Sequence, residues 1–482
     1  MGWLDGEKRK RIIDEAKDIL EKVGVFVEND EALELLDGAG AKVERNSNRV
    51  YIPAYLVENA LETAPPRVRV YDLDGDVAMD LGGDRIHFNP GSAALRILDR
   101  GKKEARVPVT EDLVRFAELT DALPNLAGQS TALISGDVPE EIADRYRLYI
   151  ALQYSRKPVV TGTFRVDGFG PMHEMLAAVS GDADKLRERP TAIFDCCPSP
   201  PLKWSDLTAQ ALIDCARTGI PAELVSMPLT GATSPVTLVG AVTQHCAESL
   251  SGVVIHQLAS PGAPIIFGGS PAFFDMRKGT TPMGAVETMM IDGAYAEIGK
   301  DLNLPTHAYM GLSDAKTVDF QAGMETAMGA ILAAASGINN ISGPGMLDFE
   351  SCQSLEKLVL DNEICGMALR FTEGIDTATE PFAIELITEA IDRKEFLSLP
   401  HTMKHYRTEG YYPDVVIDRS SRDEWEKKGG HEAAERASQR VEEILSDHEH
   451  KPLDKDVAGH LRAIMEAEAK RFGMERLPAL PS

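Results

Sequence analysis

The sequence predicts an α/β protein: a (β/α)8 TIM barrel with an N-terminal α+β cap and a C-terminal helical extension. Three observations predict it. Short apolar runs without polar alternation recur through the middle of the chain, as strands buried on both faces do. Helical patterns separate these runs, and the pairs reach eight, the number that closes a barrel. The 482 residues suffice for one large core with smaller elements around it. An open doubly wound sheet is the competing architecture.

In chain order, residues 7–23 form a helix with Ile12, Ala16, Ile19, Leu20 and Val23 at helical spacing. Residues 30–37 form a second, ending in Gly38 and Gly40. Residues 49–65 read as a short strand and a helix opened by Pro53. The Gly- and Asp-rich alternation over 67–98 predicts β-hairpins. A helix over 107–123 starts at Thr110, with Glu111 and Asp112 in its first turn. Residues 1–124 are therefore the cap. Strands are expected at 127–134, 158–164, 191–197, 222–227, 264–269, 306–312, 339–342 and 376–380. Helices are expected at 139–155, 169–180, 205–218, 234–259, 282–301, 318–336, 353–373 and 382–392. The barrel then occupies 125–395. The charged remainder, 396–482, supplies helices for its outside or for a neighbouring subunit.

Composition removes several function classes. A net charge of −26 argues against nucleic acid and against an anionic membrane surface. The chain starts in a charged helix without an apolar signal region, and no run of eighteen apolar residues occurs. Six scattered cysteines, none in a C-x-x-C, read as reduced thiols. A cytoplasmic enzyme is expected.

Barrel active sites lie at the C-terminal ends of the strands. Those ends carry Phe164 and Arg165, Asp195, Gly268 and Gly269, His307 and Tyr309, then Asp314 and Lys316, and finally Gly343 to Glu350. Rings gather there: Phe164, Phe194, Phe267, Tyr309 and Phe349, with Phe88 from the cap. Ring faces attract a permethylated ammonium, which has no hydrogen-bond donor of its own. Each ring alone is more often an ordinary core residue, and it is the cluster at one barrel end that favours a cage. The turn from Ser342 to Gly345 can cradle a carboxylate on backbone N–H groups at a helix start near Glu350. Arg165 and His307 are alternative carboxylate partners. Asp195, Asp314 and Glu350 are the acids best placed to act, although Asp314 and Lys316 also suit a plain ion pair. A zinc site at Cys196-Cys197 is disfavoured, because adjacent strand residues face opposite sides. The corrinoid-binding pattern D-x-H-x-x-G is absent.

The stretch "GLSDAKTVDFQAGMETAMGAILAAASGINNISGPGMLDFESCQSLEKLVLDNEICGMALRF" resembles the trimethylamine methyltransferase superfamily. "GGSPAFFDMRKGTTPMGAVETMMIDGAYAEIGKDLNLPTHAYMG", "FNPGSAALRILD" and "VGVFVENDEALELLDGAGA" extend the resemblance over nearly the whole chain. It implies a (β/α)8 barrel that docks a corrinoid protein over its strand ends. Family members specific for trimethylamine carry pyrrolysine; this sequence holds only the twenty common residues. The resemblance is therefore to the quaternary amine branch, acting on glycine betaine or a related betaine. It implies a corrinoid carried by a partner protein, with Gly268, Gly269, Lys316, Gly345 and Met346 facing it. Asp195, Asp314 and Glu350 are then the catalytic group. Phe88, Phe164, Arg165, Phe267, His307, Tyr309, Gly343 and Phe349 line the substrate. A homo-oligomer, trimer or hexamer, is expected, with basic residues such as Arg277 and Lys278 on the docking rim. Two other readings are a Schiff-base aldolase using a desolvated Lys316 and a betaine-binding protein without catalysis.

Overall fold

The computed structural model describes residues 2–91 and 93–480. Eight short parallel strands, each followed by a helix, organise it. The strands are β1 (His87–Asn89), β2 (Gln129–Ser130), β3 (Val159–Thr161), β4 (Ala192–Cys196), β5 (Ala222–Ser226), β6 (Ile265–Gly269), β7 (His307–Tyr309) and β8 (Asn340–Ser342). The helices are α1 (Thr110–Ala122), α2 (Ala143–Tyr154), α3 (Phe169–Ser180), α4 (Asp206–Thr218), α5 (Leu238–Ala259), α6 (Val286–Asp301), α7 (Phe320–Ala335) and α8 (Leu355–Thr372). Side chains set several helix starts. Ser205, Asp319 and Ser354 each accept a backbone N–H of the first turn of α4, α7 and α8.

Strands β2 to β6 form one parallel sheet in sequence order, and β7, β8 and β1 form another. Two contacts link the sheets. Phe267 of β6 bridges to Thr306 just before β7. The N–H of Ala127, ahead of β2, donates to the carbonyl of Phe88 in β1 at 2.8 Å.

The predicted eighth strand is corrected. Residues 376–380 contain no strand, and His87–Asn89 pairs with β8 instead, Phe88 opposite Ile341. This three-residue strand lay hidden in a Gly- and Asp-rich segment whose alternation resembled a hairpin. A true hairpin does precede it, Val68–Tyr71 with Val77–Leu81. Its Val68, Val70, Met79 and Leu81 pack on Val160, Ile193 and Ile266. The hairpin thus covers the apolar base of the parallel strands.

The described helix long and apolar enough to cross a membrane is α5, and most of it is buried inside the fold. It packs against α4, α6 and the N-terminal helices Gly6–Asp18 and Ala54–Thr63. Beyond α8, the helices Ala433–Asp447 and Lys455–Arg471 pack on α8 and on α2 and α3, respectively.

Candidate active site

Strand alternation decides which side chains meet between the strands. Ile193, Ile266 and Val160 belong to the apolar base, so residues two further along each strand sit above it. Above the base lies a polar layer. Asn340 donates to Glu223 Oε2 at 2.7 Å, and Asn89 donates to Asn340 Oδ1 at 2.7 Å. Ser342 Oγ donates to Asn89 Oδ1 at 3.0 Å and lies 3.1 Å from His307 Nε2. Glu223, His307, Asn340, Asn89 and Ser342 are all fully buried. Glu223 Oε1 lies 3.2 Å from His307 Nε2 without hydrogen-bond alignment.

Asp195, Tyr309, Glu350 and Asp292 continue this cluster. The Tyr309 hydroxyl donates to Asp195 Oδ2 at 3.2 Å, and its ring stands edge-on to His307 with centroids 4.9 Å apart. Asp195 Oδ1, Glu223 Oε1, Glu350 Oε1 and both carboxyl oxygens of Asp292 are buried without a hydrogen-bond partner among the described residues. Burial disfavours charge on such groups. It pushes the Asp195 carboxyl up to about 6, partly offset by bonds from Glu223 and Tyr309. Burial, then the nearby Asp195, lifts Glu223 well above the usual range. Burial, with Asp195 and Asp314 adding, pushes Glu350 up to about 8. Burial and then Glu350 raise Asp292. Burial alone lowers His307 to about 3, so its imidazole is neutral. At neutral pH the cluster therefore holds protons on most of its acids.

The loop after β8 delivers Glu350 in an unusual conformation. Asp348, Phe349 and Glu350 are consecutive non-glycine residues at φ of 51°, 55° and 65°. Each costs about 1–2 kcal/mol in this left-handed region. Lys316 braces the turn: its Nζ lies 3.1 Å from Asp348 Oδ1 and 3.6 Å from the centroid of Phe349.

Several sequence-based placements are corrected. Phe267 faces the helices, packed on His245 at 5.5 Å and Tyr295 at 6.5 Å, because it follows the inward Ile266. Phe194 packs on Phe169 at 5.2 Å for the same reason, and Phe88 is buried in the main core. Phe164 and Phe349 already lie under protein cations, Arg147 at 4.3 Å and Lys316 at 3.6 Å. Tyr309 is thus the candidate ring that reaches the acid cluster. Arg165 is exposed and paired with Asp167 at 2.9 Å.

The glycine turn is not an open anion cradle. The Gly345 N–H donates to Asp361 Oδ2 at 2.7 Å, and α8 starts at Leu355 rather than near Glu350. Gly343 has φ of 130°, and a Cβ there would meet Gly311 and Leu312 within 3.0 Å. Met346 is buried, its sulfur 3.3 Å from Gln353 Nε2. Gly268 and Gly269 make room for the rings of His307 and His245, each of which a Cβ would strike. Gly268, Gly269, Gly345 and Met346 are thus engaged in packing and hydrogen bonds within the fold. Asp314 and Lys316 form no side-chain pair: the Asp314 carboxylate accepts from the N–H groups of Met283 and Gly284, at 2.8 and 2.9 Å. Burial pushes Asp314 up to about 6. Lys316 is 56% exposed, which removes the desolvation an aldolase lysine needs. Arg277, expected on a docking rim, is exposed and paired with Asp275.

Glu223, Asp292 and Arg147 were missed by sequence reasoning. A signal existed for two of them. Glu223 interrupts the apolar run "AELVS", and Asp292 interrupts "TMMIDGAYA". An acid within a doubly buried element is uncommon and marks a site.

Comparison with known proteins gives the family and the fold. The family described as trimethylamine methyltransferase (MTTB) matches residues 1–473. Trimethylamine methyltransferase MttB of Desulfitobacterium hafniense (strain DSM 10664 / DCB-2) is 32% identical over 459 residues, covering 95% of this chain and 92% of its own. Glycine betaine methyltransferase of Desulfitobacterium hafniense (strain Y51) is 30% identical over 476 residues, covering 98% of each chain. The crystal structure of the Methanosarcina barkeri monomethylamine methyltransferase (MtmB) superposes with a TM-score of 0.51 at 13% identity. The match covers 92% of this chain and 93% of that one, and it shows a shared fold. The chain belongs to the trimethylamine methyltransferase (MTTB) family of methyltransferases.

Proposed function

We propose that this methyltransferase moves a methyl group from a quaternary amine, glycine betaine or a related betaine, to the Co(I) of a separate corrinoid protein. One observation carries the reading. Buried carboxyls of Asp195, Glu223 and Glu350 gather around Tyr309, with Asp292 near Glu350, and none of them meets a charged cationic side chain at ion-pair distance among the described residues. Such a cluster is largely protonated when empty, and a cation entering it favours the ionised form. A permethylated ammonium supplies charge without N–H donors, and the Tyr309 ring adds an attractive face. The relative named glycine betaine methyltransferase supports this substrate class, beside relatives of similar identity named trimethylamine methyltransferase.

The division of labour follows from the charges. A quaternary nitrogen leaves as a neutral amine, so positive charge is lost towards the transition state. A grip that favoured the cation uniformly would not raise the rate. Asp195 near 6 is mainly ionised and Glu350 near 8 mainly protonated at neutral pH, so together they give a moderate grip. The chain's main contribution is then to fix the N–CH3 direction and keep water out, and orientation of this kind supplies about 7–11 kcal/mol. The acceptor is the second substrate. Exposed apolar side chains on the loops and turns beyond the strand ends, Leu95, Phe164, Val166, Met227, Val236 and Met276, suit docking of its carrier.

On this reading the two parallel sheets act as one ring, closed by the Phe267–Thr306 bridge and the Ala127–Phe88 hydrogen bond. The barrel then runs from β1 to α8, with the cap before it and the outer helices after it.

The test is spectroscopic. The protein is mixed with titanium(III)-reduced cobalamin and a panel of quaternary amines, and loss of the cob(I)alamin absorbance is followed. Loss with a betaine is expected. Loss only with trimethylamine overturns the substrate class, and betaine binding without any loss favours a binding protein.

A further inference from the structure

Arg147 is a buried cation that the proposed mechanism has not yet used. It sits in the first turns of α2 and is 3% exposed. Its Nη1 donates to the carbonyl of Thr131 at 2.8 Å and its Nη2 to that of Gly162 at 3.3 Å. The guanidinium therefore spans the C-terminal ends of β2 and β3, with one face on Phe164 at 4.3 Å. Two of its five N–H groups are used, and Nε has no partner among the described residues.

The contrast with Arg145 is informative. Arg145 is just as buried, but it carries Asp144 at 2.7 Å and Glu468 at 2.8 Å. Asp144 is fully engaged there, since its other oxygen accepts from Thr163 Oγ1 and the N–H of Phe164. Arg147 has no carboxylate at ion-pair distance among the described residues. Its charge is felt by Asp144 first and then by Asp195 and Tyr309 of the acid cluster, and Gly162, whose carbonyl it holds, lies against Asp195. Burial lowers the Arg147 guanidinium to about 10, which still leaves it charged.

We infer that Arg147 binds the carboxylate of a zwitterionic methyl donor whose quaternary nitrogen faces Asp195 and Glu350. This rests on the function proposed above and adds a specificity-determining residue to it. Charge balance selects the ligand. A simple anion satisfies Arg147 but is repelled by the acids beside it. A simple cation satisfies the acids but is repelled by Arg147. A zwitterion satisfies both, and the planar fork of arginine matches a carboxylate through paired N–H bonds.

The test is calorimetric titration of the full chain with glycine betaine and with tetramethylammonium, which has the same head group and no carboxylate. The wild type is expected to prefer glycine betaine. Arg147→Met and Arg147→Lys are expected to lose about 30-fold or more of the betaine affinity. Their tetramethylammonium affinity should hold within about threefold or rise. A strut that merely joins β2 to β3 would weaken both ligands together, and that result overturns the inference. So does a wild type that binds tetramethylammonium as well as betaine, a comparison that needs no variant to fold. If the wild type binds neither ligand, the cation reading of the acid cluster falls as well.

Discussion

Glu350 concentrates the chemistry of the site at the scale of one residue. It is held in a left-handed turn, buried at one oxygen and raised to about 8. The sign of its effect on stability follows from that. A carboxyl raised on folding binds its proton more tightly in the native state. Its contribution is fully present below the unfolded value, about 4.3, and is lost as pH rises through about 8. Glu350→Gln does not titrate. The variant is expected to melt with the wild type at pH 4 and to be more stable at pH 8.5. The difference should be about 1–3 kcal/mol, discounted from the full shift because the side chain is partly exposed. Melting curves across that range check it; parallel curves contradict it. Asp195, Tyr309 and Glu350 were legible in the sequence because they follow apolar runs. The cage was misjudged because Phe88, Phe194 and Phe267 lie one position out of phase with the interior, and a buried parallel strand gives no polar alternation to reveal the phase.

The loop from β8 to α8 is the element that fixes the site. Asp361 of α8 accepts the Gly345 N–H at 2.7 Å and the Lys357 ammonium at 2.5 Å, and Lys357 also donates to Thr326 in α7 at 2.7 Å. The ion pair is almost wholly buried, 1% and 2% exposed. Lys357→Met strands the Asp361 charge, so a loss of about 3–5 kcal/mol is expected. Lys357→Met with Asp361→Leu should recover part of it. Denaturant melts of both variants check this, and a double variant no better than the single contradicts it. The loop's glycines were visible in sequence, but their partners lie on α7 and α8, so only the fold shows that the N–H of Gly345 is taken. The helices themselves were well marked: α1 to α8 fall within a few residues of the periodic segments, since their caps and apolar faces are local signals. The eighth strand was not, because a three-residue strand carries too little pattern.

Across the molecule as a whole, two facts pull apart. The chain carries a net charge of −26, and it also buries a cluster of acids with several carboxyl oxygens unbonded among the described residues. Much of the architecture was legible because alternating apolar runs and helices are spread along the chain. The role of the hairpin Val68–Tyr71 with Val77–Leu81, whose side chains cover the base, was not legible, because the contact joins segments far apart in sequence. A homo-oligomer, trimer or hexamer, is still proposed, and light scattering of the purified chain tests it. The central claim is that a methylated cation enters the acid cluster and ionises it. Calorimetric titration with tetramethylammonium at pH 7, in two buffers of different ionisation enthalpy, counts the protons released on binding. Release approaching one proton per cation, reduced to well under half by Glu350→Gln, is the predicted result. Binding that releases no proton and is indifferent to Glu350→Gln would contradict the account.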